Sequence, residues 1–308
     1  MSYTGPEFDS PRQRRFPRAP LAVALAALVP GALLGWVVYE GVGKPGGSGR
    51  SGGSGVGQGD AATPRSAAML PSDDAKVPSP SAVPSLKGKV VVIDPGHNPG
   101  NFQHASEINQ KVDIGTNWKE CDTTGASTNA GYTEARFTLD VAHRLRTLLE
   151  RQGATVKLTH DGDKPAWGPC VTQRAQFGND AHADAAISIH ADGMPEGDRG
   201  FHVILPASVH SGGADTRPIV GPSRTLGERV KNDFAKATGS APSNYVGNGT
   251  GLDVRKDLGG LNLSTVPKVF IECGNMGDSK DAALLTSGAW RQKAAQGISA
   301  GIVSFLRG

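Results

Sequence analysis

Four side chains in this sequence have the chemical types that metal-assisted hydrolysis requires. They are two histidines and two glutamates, namely His97, Glu134, His190 and Glu272. Two neutral imidazoles and one carboxylate form a common catalytic zinc site, in which water takes the fourth position. A second carboxylate beside that water can act as general base and then as acid toward a leaving amine. The chain supplies enough groups for both tasks, although no HExxH motif fixes which residue does which.

Three of these side chains come at the ends of predicted strands. His97 lies three residues past the KVVVID strand, His190 directly follows the AAISI strand, and Glu272 lies near the end of the VFIEC strand. Catalytic groups and ligands of open α/β sheets gather outside the carboxyl ends of the strands. Glu134 falls in the first turn of a predicted long helix. The pattern therefore predicts that groups far apart in the chain meet at one edge of a sheet.

Each residue also has a simpler explanation. A histidine after a strand is more often a hydrogen-bonded loop residue, and Glu134 could serve only as a carboxylate favoured by the helix dipole. Glu272 interrupts an apolar strand, where a buried carboxylate is costly without a partner. That partner could be a neighbouring arginine or lysine rather than a substrate or metal.

The elements that must position these groups alternate between strand and helix. Such alternation predicts an α/β fold, here a single domain with a mostly parallel central sheet flanked by helices. Apolar periodicity predicts strands at 89–94, 155–159, 185–189, 201–205 and 266–273, and helices at 133–152, 171–181, 223–238, 281–285 and 290–306. About 220 residues are available for this domain, which is ample for one hydrophobic core.

The first 87 residues read differently from the rest. Residues 1–18 are basic, and residues 19–39 form an apolar run of about 30 Å as a helix, which is enough to cross a bilayer. The basic flank predicts a cytoplasmic N-terminus and an extracytoplasmic body. An uncleaved transmembrane anchor is favoured over a cleaved signal segment because no A-x-A site follows. Residues 40–87 are rich in Gly, Ser and Pro and are typical of a linker, so residues 88–308 form the predicted catalytic domain.

Four motifs in the predicted body resemble, in order, the zinc-dependent N-acetylmuramoyl-L-alanine amidases of the Amidase_3 type. The motifs are VVIDPGH at 91–97, the helix that Glu134 opens, AAISIHAD at 185–192 with Arg174 and Asn179 before it, and PKVFIECGNM at 267–276. The resemblance spans residues 88–306. It departs from the family in Asn98-Pro99-Gly100 and in Cys273-Gly274-Asn275-Met276, which bear on the shape of the substrate groove rather than on the ligands.

The resemblance implies roles for the four side chains. His97, Glu134 and His190 become zinc ligands, and Glu272 becomes the general acid/base. The implied substrate is peptidoglycan or a muropeptide, cut at the amide bond between N-acetylmuramic acid and L-alanine of the stem peptide. A stem-cutting zinc peptidase would use the same metal chemistry. A non-catalytic wall-binding protein with this fold would be expected to lack one of the four residues.

The cysteines and the remaining histidines give further expectations. Cys121 lies in a long polar segment, 98–132, that either borders or covers the site or is a surface loop; in an oxidising exterior Cys121 can pair with Cys170. Cys273 follows Glu272 in its strand, so it should face the other way as a buried thiol. The net charge of +3 gives no reason to expect nucleic acid as a partner. Six other histidines are taken as ordinary polar or packing residues: His104, His143, His160, His182, His202 and His210.

Overall fold

The computed structural model describes residues 86–308. The predicted basic N-terminus, the apolar segment 19–39 and nearly all of the linker lie outside these residues. Within 86–308, no helix is long and apolar enough to cross a membrane.

The described chain folds into an α/β domain. Its strands are β1 (Val90–Pro95), β2 (Lys111–Asp113), β3 (Trp118–Glu120), β4 (Thr155–Leu158), β5 (Ala185–Asp192), β6 (His202–Pro206), β7 (His210–Ser211), β8 (Ala214–Asp215), β9 (Leu252–Arg255) and β10 (Lys268–Asn275). Its α-helices are α1 (Ala105–Ile108), α2 (Glu134–Arg151), α3 (Val171–Asp180), α4 (Arg217–Thr238), α5 (Gly259–Asn262), α6 (Ser279–Leu285) and α7 (Gly288–Arg307).

The central sheet has six strands in the order β4-β1-β5-β10-β6-β9. Strands β4, β1, β5 and β10 pair in parallel, β6 runs antiparallel to β10, and β9 is parallel to β6. This agrees with the prediction of a mostly parallel sheet. The carboxyl ends of β1, β5 and β10 therefore meet at one edge.

Both faces of the sheet are covered, as expected for parallel strands. Helices α2, α4 and α7 pack on one face, and their apolar side chains join those of the strands in the main core, with Ile93, Phe137, Ile189, Ile271 and Ile298 fully buried. Helices α3 and α5 lie on the other face over smaller apolar clusters. Side chains alternate along a strand, so the second face carries the even-numbered residues of β5 and β10, including His190 and Glu272.

Several element boundaries differ from the predictions. Helix α4 begins at Arg217 rather than at residue 223, although Pro222 lies inside it. Strand β9 was not predicted, since LDVR is short and half-exposed. The 98–132 segment contains a helical turn and the β2–β3 hairpin, so it is more than a plain surface loop.

The cysteine predictions are confirmed. Cys121 and Cys170 form a disulfide, and Cys273 is a free, buried thiol. The disulfide joins the end of the 98–132 hairpin to the start of α3, and the backbone N–H of Val171 donates to the carbonyl of Cys121 at 2.7 Å.

Candidate metal centre

Four separate elements bring the predicted site residues together. His97 follows β1 in a left-handed backbone conformation with φ of 61°. Glu134 is the first residue of α2, His190 lies on β5, and Glu272 lies on β10, where it pairs in register with His190. The backbone N–H of Gly96, directly before His97, donates to the carbonyl of Ile189 on β5 at 2.9 Å, which holds the end of β1 beside the strand that carries His190.

Three of these side chains converge on a common point. His97 Nε2 lies 3.1 Å from Glu134 Oε1, and His190 Nδ1 lies 2.9 Å from the same oxygen. One donor atom from each of the three residues lies within 4.8 Å of the other two. This His₂Glu donor set is the kind that holds catalytic zinc.

Neighbouring backbone groups fix the orientation of two of the three side chains, His97 and Glu134. His97 Nδ1 lies 3.1 Å from the carbonyl oxygen of Thr123, so Nδ1 carries the proton and Nε2 is left for the common point. Glu134 accepts backbone N–H bonds from Ala126 at 2.8 Å and from Ala191 at 3.2 Å. Such bonds around metal ligands set the tautomer and the ring orientation.

Two glycines leave space for the imidazoles. A Cβ on Gly96 would lie 2.3 Å from Cε1 of His190, and a Cβ on Gly125 would lie 2.6 Å from Cδ2 of His97. Both separations are far below van der Waals contact. The backbone of the 98–132 segment thus borders the site at Gly125.

A buried ionic network lies behind the site. Arg174 donates to Asp94 at 2.7 Å, to Asp122 at 2.8 Å and to the carbonyl of His97 at 3.0 Å. Lys268 is fully buried, with Nζ 3.5 Å from Asp94. Asp122 in turn lies 3.5 Å from His97 Nδ1. The arginine that the family motif singled out therefore ties β1, α3 and the 98–132 segment to the first histidine.

The electrostatics of the cluster suit a cation. Burial alone lowers the pKa of His97, but the carboxylates of Glu134 and Asp122 outweigh burial and raise it well above its ordinary value. Burial alone raises the pKa of Glu134, but His97 and His190 lower it below its ordinary range. The cluster thus stabilises positive charge at its centre. The carboxylate of Glu134 stays ionised and faces the ring nitrogens of His97 and His190. The residues present fit a divalent ion such as zinc.

Glu272 has the opposite environment. Among residues 86–308, no arginine or lysine forms a salt bridge with Glu272, which excludes that alternative within the described chain. Its Oε2 is buried and has no hydrogen-bond partner. Burial, and then the nearby charges of Glu134 and Asp192, raise its pKa well above the ordinary value. A carboxyl group with a raised pKa is suited to accepting a proton and passing it on.

Two cavities meet at the cluster. One, of about 340 Å³, is lined by His97, Glu134, His190 and Glu272. The other, of about 220 Å³, lies on the hairpin side and shares His97 and His190 with the first. Together they form a groove that passes over the convergence point.

Residues 91–304 match the Amidase_3 family model, whose description is N-acetylmuramoyl-L-alanine amidase. The chain belongs to the Amidase_3 family. It is similar to the N-acetylmuramoyl-L-alanine amidase Rv3717 of Mycobacterium tuberculosis, with 39% identity over 236 residues that cover 75% of this chain and 92% of the relative.

Solved structures of the Amidase_3 family share the fold. The N-acetylmuramyl-L-alanine amidase Ami1 of Mycobacterium smegmatis is 38% identical, covers 72% of this chain and 99% of its own, and has a TM-score of 0.66. Ami1 of Mycobacterium abscessus in its apo form is 39% identical, covers 71% and 99%, and has a TM-score of 0.65. The family resemblance inferred from the four motifs is confirmed.

Sequence reasoning missed several residues around this family site. Asp122 and Thr123 were not singled out because they lie in an irregular segment whose path the sequence does not give. Lys268 and His202 could have been noticed, since each is a polar residue inside an otherwise apolar strand. None of the six histidines taken as ordinary residues, His202 included, lines either of the two cavities.

Proposed function

We propose that this chain is a zinc-dependent N-acetylmuramoyl-L-alanine amidase that hydrolyses peptidoglycan. The bond cut is the amide between the lactyl group of N-acetylmuramic acid and L-alanine of the stem peptide. The observation that carries this proposal is the convergence of His97, Glu134 and His190 beside Glu272, whose Oε2 is buried and has no hydrogen-bond partner. Family membership specifies the substrate bond.

The three ligands and the glutamate divide the work of hydrolysis. His97, Glu134 and His190 would hold the zinc ion, which when bound supplies polarisation of the scissile carbonyl and acidifies water. Glu272 accepts a proton from the attacking water and then donates it to the leaving nitrogen of L-alanine. Its raised pKa favours the second of these transfers, because it keeps the accepted proton on the carboxyl until the leaving nitrogen takes it.

The groove around the site suits an extended substrate. Glu272 and Arg255 line the 340 Å³ cavity, and Lys119 and Glu120 of the hairpin line the 220 Å³ cavity. Leu258 and Phe270 line both. An amide placed over the convergence point would have one flank in each cavity. This arrangement favours cleavage within a branched chain, where the glycan and the stem peptide leave in opposite directions.

Mass analysis of digested muropeptides tests the proposal. The full chain, loaded with zinc, is incubated with purified muropeptides. We expect free glycan and an intact stem peptide that begins with L-alanine. Shortened stems would indicate a zinc peptidase instead, and the absence of any product with zinc bound would indicate a non-catalytic wall-binding protein.

We also propose a cellular arrangement for the chain. Residues 1–18 would lie in the cytoplasm, residues 19–39 would anchor the chain in the membrane, and residues 40–87 would be a tether. The catalytic domain at 88–308 would then act on the extracytoplasmic face, or be secreted if the apolar segment is cleaved. Support comes from the basic flank of the apolar run and from the Cys121–Cys170 disulfide, which is typical of oxidising compartments.

A further inference from the structure

A third histidine lies directly beside Glu272. In the antiparallel pairing of β6 with β10, His202 is the register partner of Glu272, just as His190 is its partner on β5. Side chains of directly opposite residues lie on the same face of a sheet, with Cβ atoms about 4.5–5.5 Å apart. Glu272 is therefore flanked by an imidazole on each side.

The two residues carry unpaired buried atoms. His202 is 2% exposed, and its Nδ1 has no hydrogen-bond partner; the same is true of Oε2 of Glu272. Across residues 86–308, only five buried side-chain atoms are in this state, and these two belong to neighbouring residues in one row of the sheet. A buried polar atom without a partner is costly, so such an atom usually has a functional reason.

Tyr245 and Asp192 enclose this pair. The ring of Tyr245 meets the ring of His202 edge-on at 5.9 Å between centroids, and the Tyr245 hydroxyl donates to Asp192 at 3.1 Å. The tyrosine thus reaches from β6 to the end of β5, and β10 with Glu272 lies between those strands. Burial lowers the pKa of His202 despite the nearby carboxylates of Asp192 and Asp253, so the imidazole is neutral and has one N–H to donate.

We propose that His202 is a positioning residue for Glu272. Its Nδ1–H donates to Oε2 of Glu272 when substrate occupies the groove, and this bond holds Oε1 toward the reacting water. Catalytic hydrogen bonds are often absent or long without substrate and shorten in the productive complex. The inference rests on the proposed amidase function and assigns a role to a histidine that touches neither the ligands' common point nor the substrate.

Two substitutions at His202 separate positioning from packing. In His202→Asn the side-chain amide can place an N–H near the position of Nδ1, whereas His202→Leu fills similar space without a donor. With a soluble muropeptide and zinc-saturated protein, we expect His202→Leu to lower kcat about 10- to 100-fold, the range typical of lost supporting hydrogen bonds. We expect KM to stay within about twofold and the zinc content to stay at wild-type level, because Glu272 contacts the reaction rather than the metal. His202→Asn should recover most of the lost kcat.

A control variant on the same strand shows whether destabilisation of β6 alone lowers kcat. Val203 is the next residue of β6, is fully buried and faces the opposite side of the sheet. Val203→Ala should lower the unfolding temperature and leave kcat within about twofold of wild type.

Three results would overturn the role of His202. They are wild-type kcat in folded His202→Leu, equal losses in the Leu and Asn variants, and a drop in zinc content that accounts for the loss of kcat. Inactivity of the zinc-loaded wild type itself would instead contradict the proposed function, so the two failures are distinguishable.

Discussion

At the residue scale, the candidate metal site depends on a glycine, directly before one proposed ligand, whose backbone lies against the ring of another. Gly96 precedes His97, and its Cα passes so close to His190 that a methyl group would lie 2.3–2.7 Å from three ring atoms. The His190 ring also stacks on Phe270 at 5.2 Å and meets the ring of His97 edge-on at 5.0 Å between centroids, so neighbours restrict its movement away from Gly96. The sequence motif PGH therefore encodes a steric requirement of the metal centre.

Gly96→Ala is expected to displace the His190 ring. We expect zinc affinity to fall about 10- to 100-fold, as for other changes that misorient a metal ligand. Competition with a chromogenic chelator measures this affinity. Gly213→Ala is the matched control, since a Cβ there meets nothing within 4 Å. Equal zinc affinity in wild type and Gly96→Ala would contradict the steric role of this glycine.

At the scale of elements, a buried ionic network around Asp94 connects the ends of the central strands with helix α3. Asp94 at the end of β1 accepts bonds from Ser188 at 2.5 Å on β5 and from Thr159 at 2.6 Å after β4, and it faces Arg174 of α3 and Lys268 of β10. All of these side chains are buried. The network therefore fixes the relative positions of β1, β5 and β10, whose carboxyl ends carry the site.

Asp94→Asn should be strongly destabilising, because it leaves Arg174 and Lys268 buried with less negative charge. Removing one partner of a buried ionic group costs about 3–5 kcal/mol. Denaturant unfolding measures the change in free energy. Asp215→Asn, which breaks an exposed pair with Arg217, should leave the midpoint unchanged. A midpoint for Asp94→Asn equal to wild type would show that the network does not hold these elements.

The same network predicts how the free energy of unfolding changes at acid pH. Burial raises the pKa of Asp94 and of Asp122, but Arg174 outweighs burial and holds both pKa values below their ordinary range. Their stabilising contribution is therefore complete above the unfolded pKa of about 3.9 and is lost as pH falls below it. We expect the unfolding free energy of wild type to fall between about pH 4 and pH 2, and to fall less in Asp94→Asn. An equal fall in both would contradict this assignment.

The disulfide supports the hairpin side of the groove. It closes a loop with a sequence separation of 49, and Cys121 directly precedes Asp122 and Thr123, which orient His97. The double variant Cys121→Ser and Cys170→Ser should lose about 2–4 kcal/mol of stability. It should also bind zinc more weakly than wild type, as measured by chelator competition. Unchanged stability and zinc affinity would show that the hairpin segment is held without the disulfide.

The elements with strong patterns were predictable, and those that depend on tertiary contacts were not. Helix α2 was predicted to within one residue at each end, because its apolar residues recur at spacings of three and four residues and Gly153 follows the helix. The first six residues of α4 were not predicted because Pro218 and Pro222 argue against a helix locally, whereas packing on α7 and β6 sustains it. The sequence shows His202 as a polar residue in an apolar strand, but it does not show the pairing with Glu272, 70 residues away, on which the proposed role rests.

At the scale of the whole molecule, the proposed anchor and linker would determine where the catalytic domain acts. The apolar segment 19–39 would hold the domain near the membrane, and the linker 40–87 would let it reach into the wall. A Gly/Ser-rich chain of about 48 residues generally has a root-mean-square span of roughly 35–40 Å. The proposed substrate would then be wall material close to the membrane surface.

The full chain, expressed in a bacterial host, should fractionate with membranes and resist extraction at alkaline pH. Added protease should degrade the domain in spheroplasts, because the body is proposed to lie outside. Deleting residues 19–39 should release the chain from membranes, and deleting 45–59 from the linker should not. A mature N-terminus beyond residue 39, found in the medium, would replace the anchor with a cleaved signal.

The central claim is that three side chains hold one zinc ion and that a separate glutamate transfers the protons. Glu272→Gln tests both parts in a single protein, because glutamine keeps the shape of the side chain and cannot accept a proton. We predict one zinc ion per chain by elemental analysis in wild type and in Glu272→Gln alike, together with a loss of kcat of about 10²–10⁴-fold on a soluble muropeptide. Turnover by Glu272→Gln at the wild-type rate, or a wild-type chain that binds no zinc, would contradict the account.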